Sequence, residues 1–285
     1  MRHFAFALAL QLGAALALPA TASELDDTVA ALRAVPVAEA DDTVVPPALV
    51  PLEARFKRLL REEAIRALPD VDASQLDLAA LKPALDALAH RYAPTEDGFQ
   101  AYRSGAIYGS VLDVHAEHPR GRPDLVAIVT NVRVGCGEDA SLALLARRQG
   151  RWADVLDIDS GAIRHIDDAF SLFDYQVGPV AADGSFAVVD AHVTPWCQSN
   201  WRALRHAVHR VPARGAPRRI FESAESITIG VADPVYDIRL NSSGYLLHFT
   251  AEGPADDPGS WRTRTVAFDI RGRRVRRGRT RFDPS

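Results

Sequence analysis

The chain is short of the residues and motifs that most often give an activity away. Lysine occurs only at Lys57 and Lys82, so the 33 basic side chains are otherwise arginine. The 2 cysteines, Cys136 and Cys197, are far apart, which leaves a two-residue-spaced dithiol redox pair without support. There is no Gly-x-Ser-x-Gly elbow, no glycine loop with a lysine to cradle phosphate, and no His-Glu-x-x-His. No run beyond the N-terminus approaches the roughly 18 apolar residues of a membrane helix, so the reading is not an integral membrane protein.

What is present begins with the first 22 residues. Arg2 and His3 precede an apolar run from Phe4 to Leu18, and Ala20-Thr21-Ala22 offers small residues where a signal peptidase reads. This predicts a secretory signal peptide over 1–22, cleaved before Ser23, and a periplasmic or secreted protein. The run is too short to cross a bilayer comfortably, and no cysteine follows the cleavage point to make a lipoprotein. With 47% hydrophobic residues, the remaining chain can bury a core. Its charge is uneven: residues 1–200 hold 17 basic and 28 acidic side chains (−11), residues 201–285 hold 16 and 9 (+7), which sum to the net −4.

Residues 23–51 carry Pro36, Pro46, Pro47 and Pro51 among acidic and small residues, and read as a poorly ordered linker or an arm over the body. Residues 52–94 read as a small helical segment. Its first helix covers 52–68, where Leu52, Phe56, Leu59, Leu60, Ala64 and Ala67 recur at helical steps. A second starts at Pro83, with Leu85, Leu88, Ala89 and Tyr92 as its apolar stripe.

From residue 104 to the end the pattern is that of strands. Three stretches, 108–160, 173–226 and 236–279, share one layout: strand, tight turn, strand, longer connection, strand, tight turn, strand. Gln149-Gly150, Asp183-Gly184, Arg214-Gly215, Ser243-Gly244 and Gly272 mark turns. The expectation is a mainly β fold of about twelve antiparallel strands in three two-hairpin repeats, with a small N-terminal helical segment. Such hairpins must stack or close, and a small propeller-like, funnel or sandwich body stays open at this level.

Cys136 and Cys197 fall in the matching longer connections of the first two units, which predicts one intramolecular disulfide. The second connection is also the most distinctive segment. Trp196, Asn200, Trp201 and Arg202 crowd it, and aromatic and arginine side chains on a tethered loop are what a binding surface uses. The bland alternative is that the tryptophans plug the end of the body. His206 and His209 sit on a strand, where they point to opposite faces and make a poor metal site. Acidic pairs at Asp157/Asp159 and Asp167/Asp168 read as strand ends unless they face other carboxylates across a cleft. The basic stretch Arg271 to Arg281 reads as a solvated hairpin or as a contact for an anionic partner. Together these features predict a non-enzymatic exported binding module for an envelope protein or anionic polymer, with no cofactor, no metal and no nucleic acid. The rival is a hydrolase of envelope sugars or peptides working through Asp113, His115, Glu117 or His118.

Overall fold

The computed structural model describes residues 20–35, 44–94, 108–135, 137–195, 201–228, 236–252 and 261–282. Twelve strands form three four-stranded antiparallel sheets, each a meander in chain order. The first holds β1 (Val111–Glu117), β2 (Leu125–Val134), β3 (Gly137–Arg148) and β4 (Arg151–Ile158). The second holds β5 (Ser171–Val177), β6 (Phe186–Val193), β7 (Trp201–Val211) and β8 (Arg218–Thr228). The third holds β9 (Tyr236–Leu240), β10 (Gly244–Glu252), β11 (Trp261–Arg271) and β12 (Arg274–Phe282). The three repeats read from the sequence are these three sheets.

Side chains alternate along each strand, so a sheet has two faces, and the first two sheets bury apolar residues on both. Val126 and Ile128 of β2 pack with the helices, while Leu125, Ala127 and Val129 pack with Tyr175, Phe186 and Val188 of the second sheet. Val189, Ala191, Leu204 and Val208 of that sheet pack on Tyr245, Leu247, Val266 and Phe268 of the third. The layers therefore run helices, first sheet, second sheet, third sheet. Tyr245 and Phe268 stack with ring centroids 4.6 Å apart, and Gly244 lets the backbone close in: a Cβ there would lie 1.9 Å from the Phe268 carbonyl oxygen.

The sheets are stitched where β5 begins. The Leu172 N–H donates to Glu138 Oε1 of the first sheet, and its carbonyl accepts the Tyr236 hydroxyl of the third. Leu172 takes φ +48°, a left-handed conformation unfavourable for leucine, which these bonds on both sides of the residue hold in place.

Three helices cover the first sheet: α1 (Ala20–Ala34), α2 (Leu49–Arg66) and α3 (Leu78–Arg91). Two expectations are corrected here. Part of the stretch read as a poorly ordered linker is helix α1, because Leu25, Val29 and Leu32 form a stripe that is buried in the helical core. Val45 then bonds the Arg164 carbonyl, tying the following segment to the body. The third helix starts at Leu78 and not at Pro83, because the Asp77 carboxylate caps it by accepting from Ala79 N and Ala80 N. Pro83 is then tolerated inside, at the loss of one intrahelical bond. No described helix is long and apolar enough to cross a membrane.

Candidate functional site

A chemically varied cleft lies between the end of β4 and the second sheet, with a volume of about 390 Å³. One wall is Asp157, Asp159, Ser160 and Asp168; the other carries Asp190 and His192 from β6, Arg205 and His209 from β7, and Arg219 and Glu222 from β8.

Strand alternation places most of the second wall. Asp190 and His192 share a face, and Arg205, Ala207 and His209 lie opposite them on β7. Arg219 and Glu222 are an odd number of residues apart and would point to opposite faces of a regular strand. The pairing skips Ile220, since Val208 faces Phe221 and His209 faces Arg219. That bulge brings both onto the cleft side, where they pair at 3.1 Å.

The carboxylates are already engaged. Asp190 is buried and its Oδ1 lies 2.7 Å from His209 Nε2. Asp157 accepts from Arg61 Nη1 at 2.6 Å, and burial with the nearby Asp159 and Asp154 pushes its carboxyl up to about 6 against the pull of Arg61. Asp159 accepts from Lys57 Nζ at 2.9 Å. His192 stacks on Phe170 at 3.9 Å, and burial drives its imidazole down to about 3, helped by Arg205 and His206. It is neutral at pH 7, and its Nδ1 has no hydrogen-bond partner among the described residues.

Behind the first wall lies a buried ionic knot that the sequence reading missed. Lys57 Nζ, 1% exposed, touches Asp139 Oδ2 (2.7 Å), Asp159 Oδ1 (2.9 Å), Ser160 Oγ (2.6 Å) and the Gly161 carbonyl (2.9 Å). Asp139 Oδ1 in turn accepts from Phe170 N at 2.8 Å, so one carboxylate joins α2, β3 and the approach to β5. Burial pushes the Lys57 ammonium down, but Asp139 and Asp159 outweigh it and hold its pKa above the ordinary lysine value. A lysine that keeps its proton cannot serve as a base for Ser160, and Ser160 itself donates to Asp139. The close Ser160–Lys57 pair is a brace and not a nucleophile. The one available signal was the rarity of lysine on a helix otherwise rich in arginine.

Other residues singled out from the sequence fall as follows. His206 and His209 do point to opposite faces: His206 Nδ1 meets the Tyr245 hydroxyl at 2.7 Å inside the second apolar layer. Arg202 is half-buried, its Nε donates to the Thr194 carbonyl, and burial brings its guanidinium down to about 10. Cys136, Trp196, Cys197 and Asn200 lie outside the described residues, as does the side chain of Trp201. The rival catalytic set lies along β1 and just beyond it, with Asp113, His115 and Glu117 on alternate residues of the strand. Asp113 and His115 bond each other beside α3, Glu117 accepts the Tyr175 hydroxyl, and His118 Nδ1 meets the Leu125 carbonyl.

Comparison with known proteins finds no family model, no curated protein and no solved structure that matches this chain.

Proposed function

We propose that the chain is an exported binding protein without catalytic activity, and that it holds a small polar ligand in the cleft between its first and second sheets. The observation that carries this reading is the prior engagement of the cleft's carboxylates: Asp190 with His209, Asp159 with Lys57, Asp157 with Arg61. Groups fixed in this way present acceptors and donors at set positions, which suits recognition. The volume of about 390 Å³ fits a small ligand, and the neutral His192 ring adds an unused acceptor or donor. Export is supported by the charged, apolar and small-residue start, and the first described buried side chain, Leu25, lies beyond the cleavage point.

A hydrolase remains the second reading on one observation. Asp157, Asp159 and Asp168 face Asp190 and Glu222 across the cleft, and Asp157, at about 6, retains some of its proton near neutrality. Titration with N-acetylated amino sugars, their short oligomers and cell-wall peptides, followed by calorimetry and by chromatography of the mixture, separates the two. The binding reading expects saturable uptake without turnover, weakened about tenfold or more in Arg205→Ser with Glu222→Gln. Turnover that disappears in Asp157→Asn establishes the hydrolase instead. The absence of both uptake and turnover across the panel removes the cleft from consideration.

A further inference from the structure

The outer face of the third sheet carries a second, independent feature. Residues 261–282 contain nine arginines and one acidic residue, Asp269. Arg277 pairs with Glu225 at 2.7 Å, and Arg264 lies 3.9 Å from the same carboxylate. Both stand on the inner side with Phe268 and Val266. Arg274, Arg276, Arg279 and Arg281 are exposed, and none of them forms an ion pair with a described residue.

Their placement is the result of a bulge. Regular alternation would set Arg279 and Arg281 on the face opposite Arg274 and Arg276. The register shifts between Val266 and Phe268, so that Val266 faces Thr280 while Phe268 faces Arg277. With Thr280 and Arg277 both turned inward, Arg274, Arg276, Arg279 and Arg281 all turn outward. They form one row along an edge strand, with neighbours roughly 7 Å apart where the strand is regular. Beside the row, β11 presents Thr263, Thr265 and Ala267, with the exposed Asp269 opposite Arg276 near one end, and His248 of β10 bonds the Thr265 hydroxyl at 2.8 Å. The row starts next to Arg273, which with Arg210, Arg214 and Arg218 lines a cleft of about 430 Å³ at the hairpin tips. Among the described residues lining it the one acid is Asp183, and it is already held by Arg210 at 3.3 Å.

We propose that this face is a docking surface for a linear acidic polysaccharide. Its carboxylates or sulfates pair with the arginine row, its hydroxyls meet the threonines of β11, and the tip cleft takes one end. An extended row of guanidinium groups without partners matches a polymer with regularly spaced charge. The exposed large apolar side chains among the described residues are Val44, Leu112, Leu172 and Val180, none of them on this face, so it has nothing to insert into lipid. Phe249 and Phe268 point inward, so the described face offers no phenyl ring on which a nucleobase could stack, and the His248 imidazole on it is half-buried and bonded to Thr265.

The full exported chain is titrated with oligogalacturonate and with heparin fragments at several salt concentrations. The expected result is binding whose log affinity falls linearly with log salt. Arg276→Ser, Arg279→Ser and Arg281→Ser together are expected to weaken it at least about tenfold, while the three lysine replacements retain most of it. The melting temperature of both variants stays that of the parent, because the side chains are exposed. Arg205→Ser with Glu222→Gln leaves this binding unchanged, which separates it from the inter-sheet cleft. No binding at low salt, or unchanged binding by the serine variant, overturns the proposal. Preference for anionic phospholipid vesicles or for a single-stranded oligonucleotide over both polysaccharides overturns it equally.

Discussion

Glu53 and Lys57 sit one turn apart on α2, both 1% exposed, and they resolve the same burial in opposite ways. Lys57 keeps its charge because two carboxylates surround it. Glu53 has no hydrogen bond to either carboxyl oxygen; the Gly109 amide lies near enough to favour the charged form without reaching bonding geometry. Burial therefore pushes Glu53 up to about 8, with Lys57 opposing and Asp139 reinforcing. The folded protein binds a proton here that the unfolded chain has released once pH exceeds about 4.5, so this residue's contribution to stability falls as pH rises from about 4.5 to 8. Glu53→Gln is expected to leave stability unchanged near pH 4.5 and to raise it at pH 9 by a few kcal/mol. Thermal unfolding across that range checks it, and a variant less stable than the parent at pH 9 refutes it. His192 and His206 act with the other sign. Burial drives them to about 3 and 4, so they add stability above pH 6.5 that is lost as pH falls through those values.

Among the elements, α1 shows how a short stripe outweighs a discouraging composition. Leu25, Val29 and Leu32 are each at most 5% exposed, and covering three such side chains contributes about 5 kcal/mol. Under the proposed export, the mature chain is expected to begin near Ser23, as N-terminal sequencing would show, and to keep all three. A chain shortened to begin at Val35 is expected to melt several degrees lower or to aggregate, since the face of α2 beneath α1 is then open to water. Equal melting temperatures for the two chains would show that α1 adds nothing. The strands show the complementary lesson. Bulges at Ile220 and around Gly278 each reverse the alternation of a strand, and each gathers charged residues onto one face.

At the scale of the whole molecule, successive meanders are layered and joined at a few points. A Cβ added at Gly137 would lie 3.1 Å from Pro195 Cβ, so the start of β3 and the end of β6 are in contact. In the sequence Cys136 directly precedes Gly137, and Cys197 follows two residues after Pro195. We propose that they form the disulfide and lock the first sheet to the second. A non-reduced digest of exported protein is expected to yield the linked peptides. Reduction is expected to remove about 4 kcal/mol of stability, the value for closing a loop of roughly 60 residues. Quantitative alkylation of both thiols without reduction would show that the layers hold by packing alone.

The strands, their pairing into hairpins and the grouping of four to a sheet were legible in the sequence, because each depends on residues close along the chain. The β-branched run from Leu125 to Val134 marks a strand of the first unit, and glycine at positive φ marks turns such as Gly150, Gly184 and Gly215. The same local logic failed at α1, where the prolines around Val45 concealed a stripe whose partner surface lies on α2. It could not reach the inter-sheet cleft. Asp157 and Asp190 lie on different sheets, and nothing near either residue in sequence announces the other. Lys57 reads as a surface cation until Asp139, 82 positions away, is brought against it. A bulge moves a strand's phase by one residue without altering its composition, so the faces of Arg219, Glu222 and the β12 arginines were decided only when the strands paired. Composition and period determined the elements, while contacts between layers determined which polar groups meet, because charge pairing and burial are set by distance in space.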